Sequence, residues 1–153
     1  MSCLTPGGHR LRLGRVSQPG RIYLLTSVTK DRAPFFTDWR TGRLLVNAFR
    51  QAHDEGAVIS LAWVVMPDHF HWLVELRETP LAVLMCKTKS RTVRAFSELT
   101  GIQTRLWQKG YHDRAVRREE DMQAIARYIV ANPIRAGLVN RVHDYPLWDA
   151  IWL

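Results

Sequence analysis

The sequence predicts an α+β fold: a ferredoxin-like antiparallel sheet of the split βαβ kind, with helices packed on it. Three observations lead there. Strand-like and helix-like periodicities alternate in the order β-α-β-β-α-β-α; a Met66-Pro67-Asp68 turn joins the two middle strands as a hairpin; and two amphipathic stretches flank that hairpin. Helices on one sheet face would leave the other open for a site.

Each element follows from its residues. Residues 1–20 carry four Gly, two Pro and three Arg and read as a flexible basic arm ahead of a single domain over 21–153. Arg21 to Thr29, with Ile22, Tyr23, Leu24, Leu25 and Val28, is rich in β-favouring types and reads as the first strand. Thr37 or Asp38 caps a helix to about Glu55, with Leu44, Leu45, Ala48 and Phe49 as its apolar stripe and Gly56 as its stop. The apolar run Ala57 to Met66 is a buried strand, and His69 to Leu76 is its hairpin partner. In that partner Phe70, Trp72, Val74 and Leu76 line one face; His69, His71, Leu73 and Glu75 line the other.

Thr79-Pro80 opens a helix to about Leu99, apolar at Leu81, Leu84 and Met85 and basic at Lys87, Lys89, Arg91 and Arg94. Leu106 to Arg118 reads as a strand with an irregularity at Gly110. Glu119, Glu120 and Asp121 favour a helix start, and the helix runs to about Ala131 before Asn132-Pro133 ends it.

The chain's 153 residues suffice for a real core, with 46% hydrophobic and 24% charged residues. The charge balance is less ordinary. Against 14 Asp+Glu stand 22 Lys+Arg, a net charge of +8, which favours a polyanionic partner such as nucleic acid. Cys3 and Cys86 are too few for a disulfide framework or a cysteine zinc site. No stretch approaches the roughly 20 apolar residues of a membrane span, and the first residues lack the apolar core of a signal peptide. A cytoplasmic location is expected.

The chemistry-bearing residues fall in two groups. His69 and His71, two apart on a strand, share a face and stand roughly 7 Å apart along it, close enough to grip one ion. Neutral imidazoles suit Mn, Zn, Fe or Ni and tolerate Mg when oxygen ligands complete the shell. Tyr128 and Asn132 lie one turn apart on the last helix, beside the buried stripe Met122, Ile125, Ala126 and Ile129. Phenols titrate near 10, so a tyrosine nucleophile needs assistance. A metal held by His69, His71 and the Asn132 oxygen can polarise a scissile phosphate and supply it.

Several segments together resemble the REP-associated tyrosine transposases, of the single-tyrosine HUH transposase superfamily. They are Met66-Pro67-Asp68-His69-Phe70-His71-Trp72-Leu73-Val74, Leu106-Trp107-Gln108, His112-Asp113-Arg114, and Arg127 to Val139 (RYIVANPIRAGLV). The likeness runs from about Arg21 to Trp148. It implies an HUH endonuclease fold that cuts and rejoins single-stranded DNA beside hairpins (REP-like elements), using Mg2+ or Mn2+. It implies Tyr128 as the nucleophile, leaving a 5′-phosphotyrosine and a free 3′-OH, with His69, His71 and Asn132 as metal ligands. It further implies a bacterial, nucleoid-associated protein, monomeric or homodimeric. The Gly-Thr-Trp-Tyr element that some members carry near the N-terminus is replaced here by Pro19-Gly20-Arg21-Ile22-Tyr23-Leu24.

Lys87, Lys89, Arg91, Arg94, Arg114 and Arg117 are the expected phosphate contacts, with Arg105 and Arg118 as further candidates. Trp107 and Tyr111 are candidate base-stacking residues, a packed core tryptophan being the other role for Trp107. The alternative to a transposase-like nuclease is a non-catalytic nucleic-acid-binding protein on the same sheet; a hydrolase using activated water is a third reading.

Overall fold

A computed structural model of the chain describes residues 17–117 and 120–152. Most of the expected basic arm, together with Arg118 and Glu119, lies outside the described residues. The strands are β1 (Ile22–Val28), β2 (Val58–Met66), β3 (His69–Leu76), β4 (His112–Ala115) and β5 (Trp148–Ala150); the helices are α1 (Trp39–Asp54), α2 (Leu81–Thr100), α3 (Met122–Val130) and the single turn α4 (Asn132–Arg135). The sheet order is β4-β1-β3-β2-β5, and every pairing is antiparallel. The first four strands have the ferredoxin-like arrangement, with β5 added beside β2.

Alternation along β3 divides the molecule into two cores. Phe70, Trp72, Val74 and Leu76 point to one side, where α1 and α2 bury Leu45, Phe49, Leu84 and Met85 against them. Phe49 stacks on Trp72 with centroids 4.4 Å apart and meets the edge of Phe70 at 5.1 Å. This aromatic cluster pins β3, so its remaining residues, His69 and His71 among them, must face the other way.

That second face is not left open. The stripe Ala126, Ile129 and Val130 of α3 is apolar, and leaving it in water would cost more than packing it, so α3 docks over Leu61, Ala62, Val64 and Leu73. A register shift between Ser60 and Ala62 accommodates Leu61 in the same cluster.

Three local expectations change. The strand expected over 106–118 shrinks to His112–Ala115 because Trp107 turns inward to the core and Gly110 adopts a φ of 83°. A single bridge, Thr29 to Trp107, marks the approach to that strand. The chain does not leave helical geometry at Asn132-Pro133: Ala131 stays in the right-handed region and α4 follows, with proline where its missing N–H costs nothing. At the start of α2 the cap residue is Pro80 rather than Thr79, and no side chain caps the turn. Of Thr37 and Asp38 it is Asp38 that caps α1, accepting from the Arg40 N–H; Asp121, expected only as one of three acids at the helix start, caps α3 by accepting from the N–H groups of Gln123 and Ala124. No helix among the described residues is long and apolar enough to cross a membrane.

Candidate metal and nucleophile site

Register assembles the site. Across the second face of the sheet run His112, Thr26, His71 and Val64 in one row, with Val28, His69 and Met66 beside it. The two histidine rings lie 5.0 Å apart between centroids, nearly perpendicular. Each is held by its Nδ1: His69 by the Asp68 carboxylate at 2.7 Å, His71 by the Thr26 hydroxyl at 2.8 Å. With Nδ1 engaged, Nε2 is the nitrogen each ring offers to a ligand, the arrangement by which partners of metal-bound histidines fix the ring and its tautomer.

Asp68 is itself braced. Arg32 approaches its second oxygen at 3.4 Å, and the Thr29 N–H donates to its carbonyl at 2.9 Å. Arg32 and Asp31 both hold a φ of 55°, unusual for non-glycine residues, so the turn after β1 carries backbone strain next to the histidines. The Asp68 carboxyl is held below the usual carboxylate range: burial opposes this, but the contacts to His69 and Arg32 outweigh it. Burial, aided by the positive fields of His69 and Arg135, pushes His71 down to about 4, so its ring is neutral and its lone pair available near pH 7.

Helices α3 and α4 supply the other half. Tyr128 projects from α3 with 65% of its surface exposed, away from the buried stripe. Asn132 is half-buried, and its side-chain N–H donates to the Ile129 carbonyl at 2.9 Å. That contact orients the amide and leaves its oxygen as the ligand-type atom. Arg135 lies over Tyr128: its guanidinium is 3.7 Å from the ring centroid, and its Nη2 donates to the Tyr128 carbonyl at 2.6 Å. The same charge acts on His71.

Among the described residues no three His, Cys, Asp or Glu side chains converge on one point. A cation at the histidine pair therefore needs oxygen donors of another kind: the Asn132 amide, water or a phosphate.

The expected basic contacts separate by face. Lys87, Lys89, Arg91 and Arg94 sit on α2, which packs on the sheet face opposite the histidines. Arg91 is bound to both carboxylate oxygens of Glu55, at 2.8 and 2.9 Å, and Lys89 donates to the carbonyls of Gln108 and Gly110. Arg114 shares the histidine face, opposite Leu24, and pairs with Glu120 at 3.0 Å; the exposed Arg117 gives its backbone N–H to the same carboxylate. Trp107 is a core residue, its indole N–H donating to the Lys89 carbonyl, and Tyr111 packs partly against the same core.

The family model described as "Transposase IS200 like" matches residues 19–132, from the entry to β1 through both histidines to Asn132. The chain belongs to the IS200-like transposase family. Among its relatives, a Haemophilus influenzae protein provisionally named a REP-associated tyrosine transposase is 26% identical over 143 residues, 83% of this chain and 78% of that protein. The REP-associated tyrosine transposase of Escherichia coli K12 is 29% identical over 87 residues, 56% of this chain, which spans about half (50%) of that relative's length. A solved REP-associated tyrosine transposase bound to a REP hairpin has the same fold, with a TM-score of 0.72 at 23% identity over 88% of this chain and 79% of that one. Within the IS200-like family, the likeness is to the REP-associated tyrosine branch.

Sequence reasoning missed Thr26, Asp68 and Arg135. Asp68 was adjacent to His69 and could have been flagged as its orienting carboxylate. Thr26 required the register between strands 45 residues apart, and Arg135 the path of the chain beyond a proline.

Proposed function

We propose that this IS200-like family member is a metal-dependent single-stranded DNA endonuclease and strand transferase acting beside hairpins through a covalent 5′-phosphotyrosine. One observation carries the reading: two histidines with oriented Nδ1 atoms share the sheet face over which the Tyr128 helix docks. His69, His71 and the Asn132 oxygen would hold Mg2+ or Mn2+. Such an ion, when bound, supplies Lewis-acid stabilisation of charge on the phosphate oxygens.

The chain's own residues do the rest. The exposed Tyr128 Oη attacks the phosphorus, the P–O3′ bond breaks, the phenol proton passes to solvent and the departing oxygen ends as a 3′-OH. Because one phosphodiester replaces another, attack by a 3′-OH on the adduct rejoins strands without a nucleotide cofactor. Asp68 and Thr26 keep the imidazoles aimed throughout. Arg114, on this face, and the exposed Arg117 would contact backbone phosphates, and residues 21–153 would form the catalytic domain. Hairpin DNA as partner is supported by the solved relative, whose complex contains a REP hairpin.

The test is a hairpin-flanked single-stranded oligonucleotide incubated with Mn2+ or Mg2+. An SDS-resistant protein–DNA adduct is expected, lost on chelation and lost in Tyr128→Phe. An adduct that persists in Tyr128→Phe refutes the nucleophile; salt-sensitive binding with no adduct would favour a non-catalytic binder.

A further inference from the structure

A nucleophile that is 65% exposed has no wall of its own. The stripe neighbours of Tyr128 on α3, Ala126, Ile129 and Val130, are buried in the second core, and the phenol points away from them. An exposed tyrosine samples several staggered rotamers, and in-line attack on phosphorus tolerates few of them. Something must hold the ring, and among the described contacts of Tyr128 the group that touches it is the Arg135 guanidinium.

The contact is bidentate in an unusual sense. Nη2 is tied to the Tyr128 backbone carbonyl at 2.6 Å, while the guanidinium carbon stands 3.7 Å from the ring centroid. The first contact anchors the arginine to the helix end, where carbonyls lack intrahelical donors. The second lays a planar cation on the face of the phenol, at a separation favourable for cation–π attraction. The break between α3 and α4 makes this possible. Asn132 and Pro133 start a new turn that brings Arg135 back toward Tyr128, and that junction also orients Asn132 through its hydrogen bond to Ile129.

We propose that Arg135 is the positioning residue for Tyr128: it clamps the ring face and the carbonyl of the same residue, restricting the phenol to the rotamer from which Oη reaches phosphorus. The inference rests on the reading of Tyr128 as nucleophile.

Single-turnover adduct formation with saturating hairpin-flanked single-stranded DNA and Mn2+ tests this. Arg135→Ala should slow adduct formation roughly 10- to 100-fold, the cost of an ill-positioned reactant, while the DNA concentration giving half-maximal rate stays within about twofold. Arg135→Gln, which can still donate to the Tyr128 carbonyl and so keeps the helix end capped, should be slowed as well. Millimolar methylguanidinium should restore part of the Arg135→Ala rate. A second readout needs neither DNA nor metal: in tyrosine ring-labelled protein, the resonance assigned by its absence in Tyr128→Phe should shift and sharpen in Arg135→Ala as the ring is released.

A wild-type rate in Arg135→Gln overturns the clamp, leaving only a helix cap. So does a rate loss that disappears at higher DNA concentration, which would make Arg135 a phosphate contact instead. If Tyr128→Phe still forms the adduct, the nucleophile reading fails and the clamp with it. If Tyr128→Phe is inert but the Arg135 variants react normally, the clamp alone fails.

Discussion

Acid should destabilise this protein through one ring, His71. The folded environment disfavours its charged form, by burial first and then by the positive fields of His69 and Arg135. The unfolded chain therefore takes up the proton before the folded one does. The stability this supplies is whole above about pH 6.5 and is lost as pH falls toward 4. A displacement from 6.5 to about 4 corresponds to about 3 kcal/mol at most. Because the ring keeps some contact with solvent, roughly 1–2 kcal/mol is the expected loss. Urea unfolding followed by tryptophan fluorescence, with chelator present, measures it across that window. His71→Gln retains a hydrogen-bonding partner for Thr26 but has no titrating ring, so its stability should decline less over the same window. The contribution of Asp68, whose carboxyl is held low and which is lost at still more acid pH, is common to both proteins and cancels in the comparison. Equal slopes for wild type and His71→Gln would refute the reasoning.

Other consequences are as direct. Asp68→Asn removes the charge that orients His69, and Mn2+ affinity measured by calorimetry should fall about 10- to 100-fold, as for other outer-shell partners of metal-bound histidines. Phe49→Ala empties the space against Trp72 and Phe70, and should cost roughly 3–5 kcal/mol in urea unfolding. Arg114→Ala, on the histidine face, should weaken single-stranded DNA binding and reduce the slope of log affinity against log salt by about 0.7 for a lost phosphate contact. Arg94→Ala, on the opposite helix layer, should leave that slope unchanged.

Much of the fold was legible because burial on one side of a strand or helix imposes a period that residues such as Phe70, Trp72, Val74 and Leu76 display openly. The hairpin at Pro67-Asp68 and the cap at Asp38 are equally local, set by backbone geometry within a few residues. Less visible was the docking of α3 on the second face. Its apolar stripe announces that it must be buried, but not against which surface. The expected strand over 106–118 misled for a related reason: Trp107 looks β-favouring, yet its place is decided by contacts with Phe36 and Phe70 far away in sequence.

The sequence by itself determined that His69 and His71 share a face, that Tyr128 and Asn132 are a turn apart, and that the chain is strongly basic. These are consequences of strand and helix periods and of composition, and here no distant contact overrode them. The tertiary structure alone decided which nitrogen each histidine offers, through Thr26 and Asp68. It also decided which cations stand on the histidine face, and that Arg135 lies over the Tyr128 ring. Those outcomes depend on register between strands and on the direction the chain takes after Pro133, and both are set by packing across the whole sheet rather than by any local pattern.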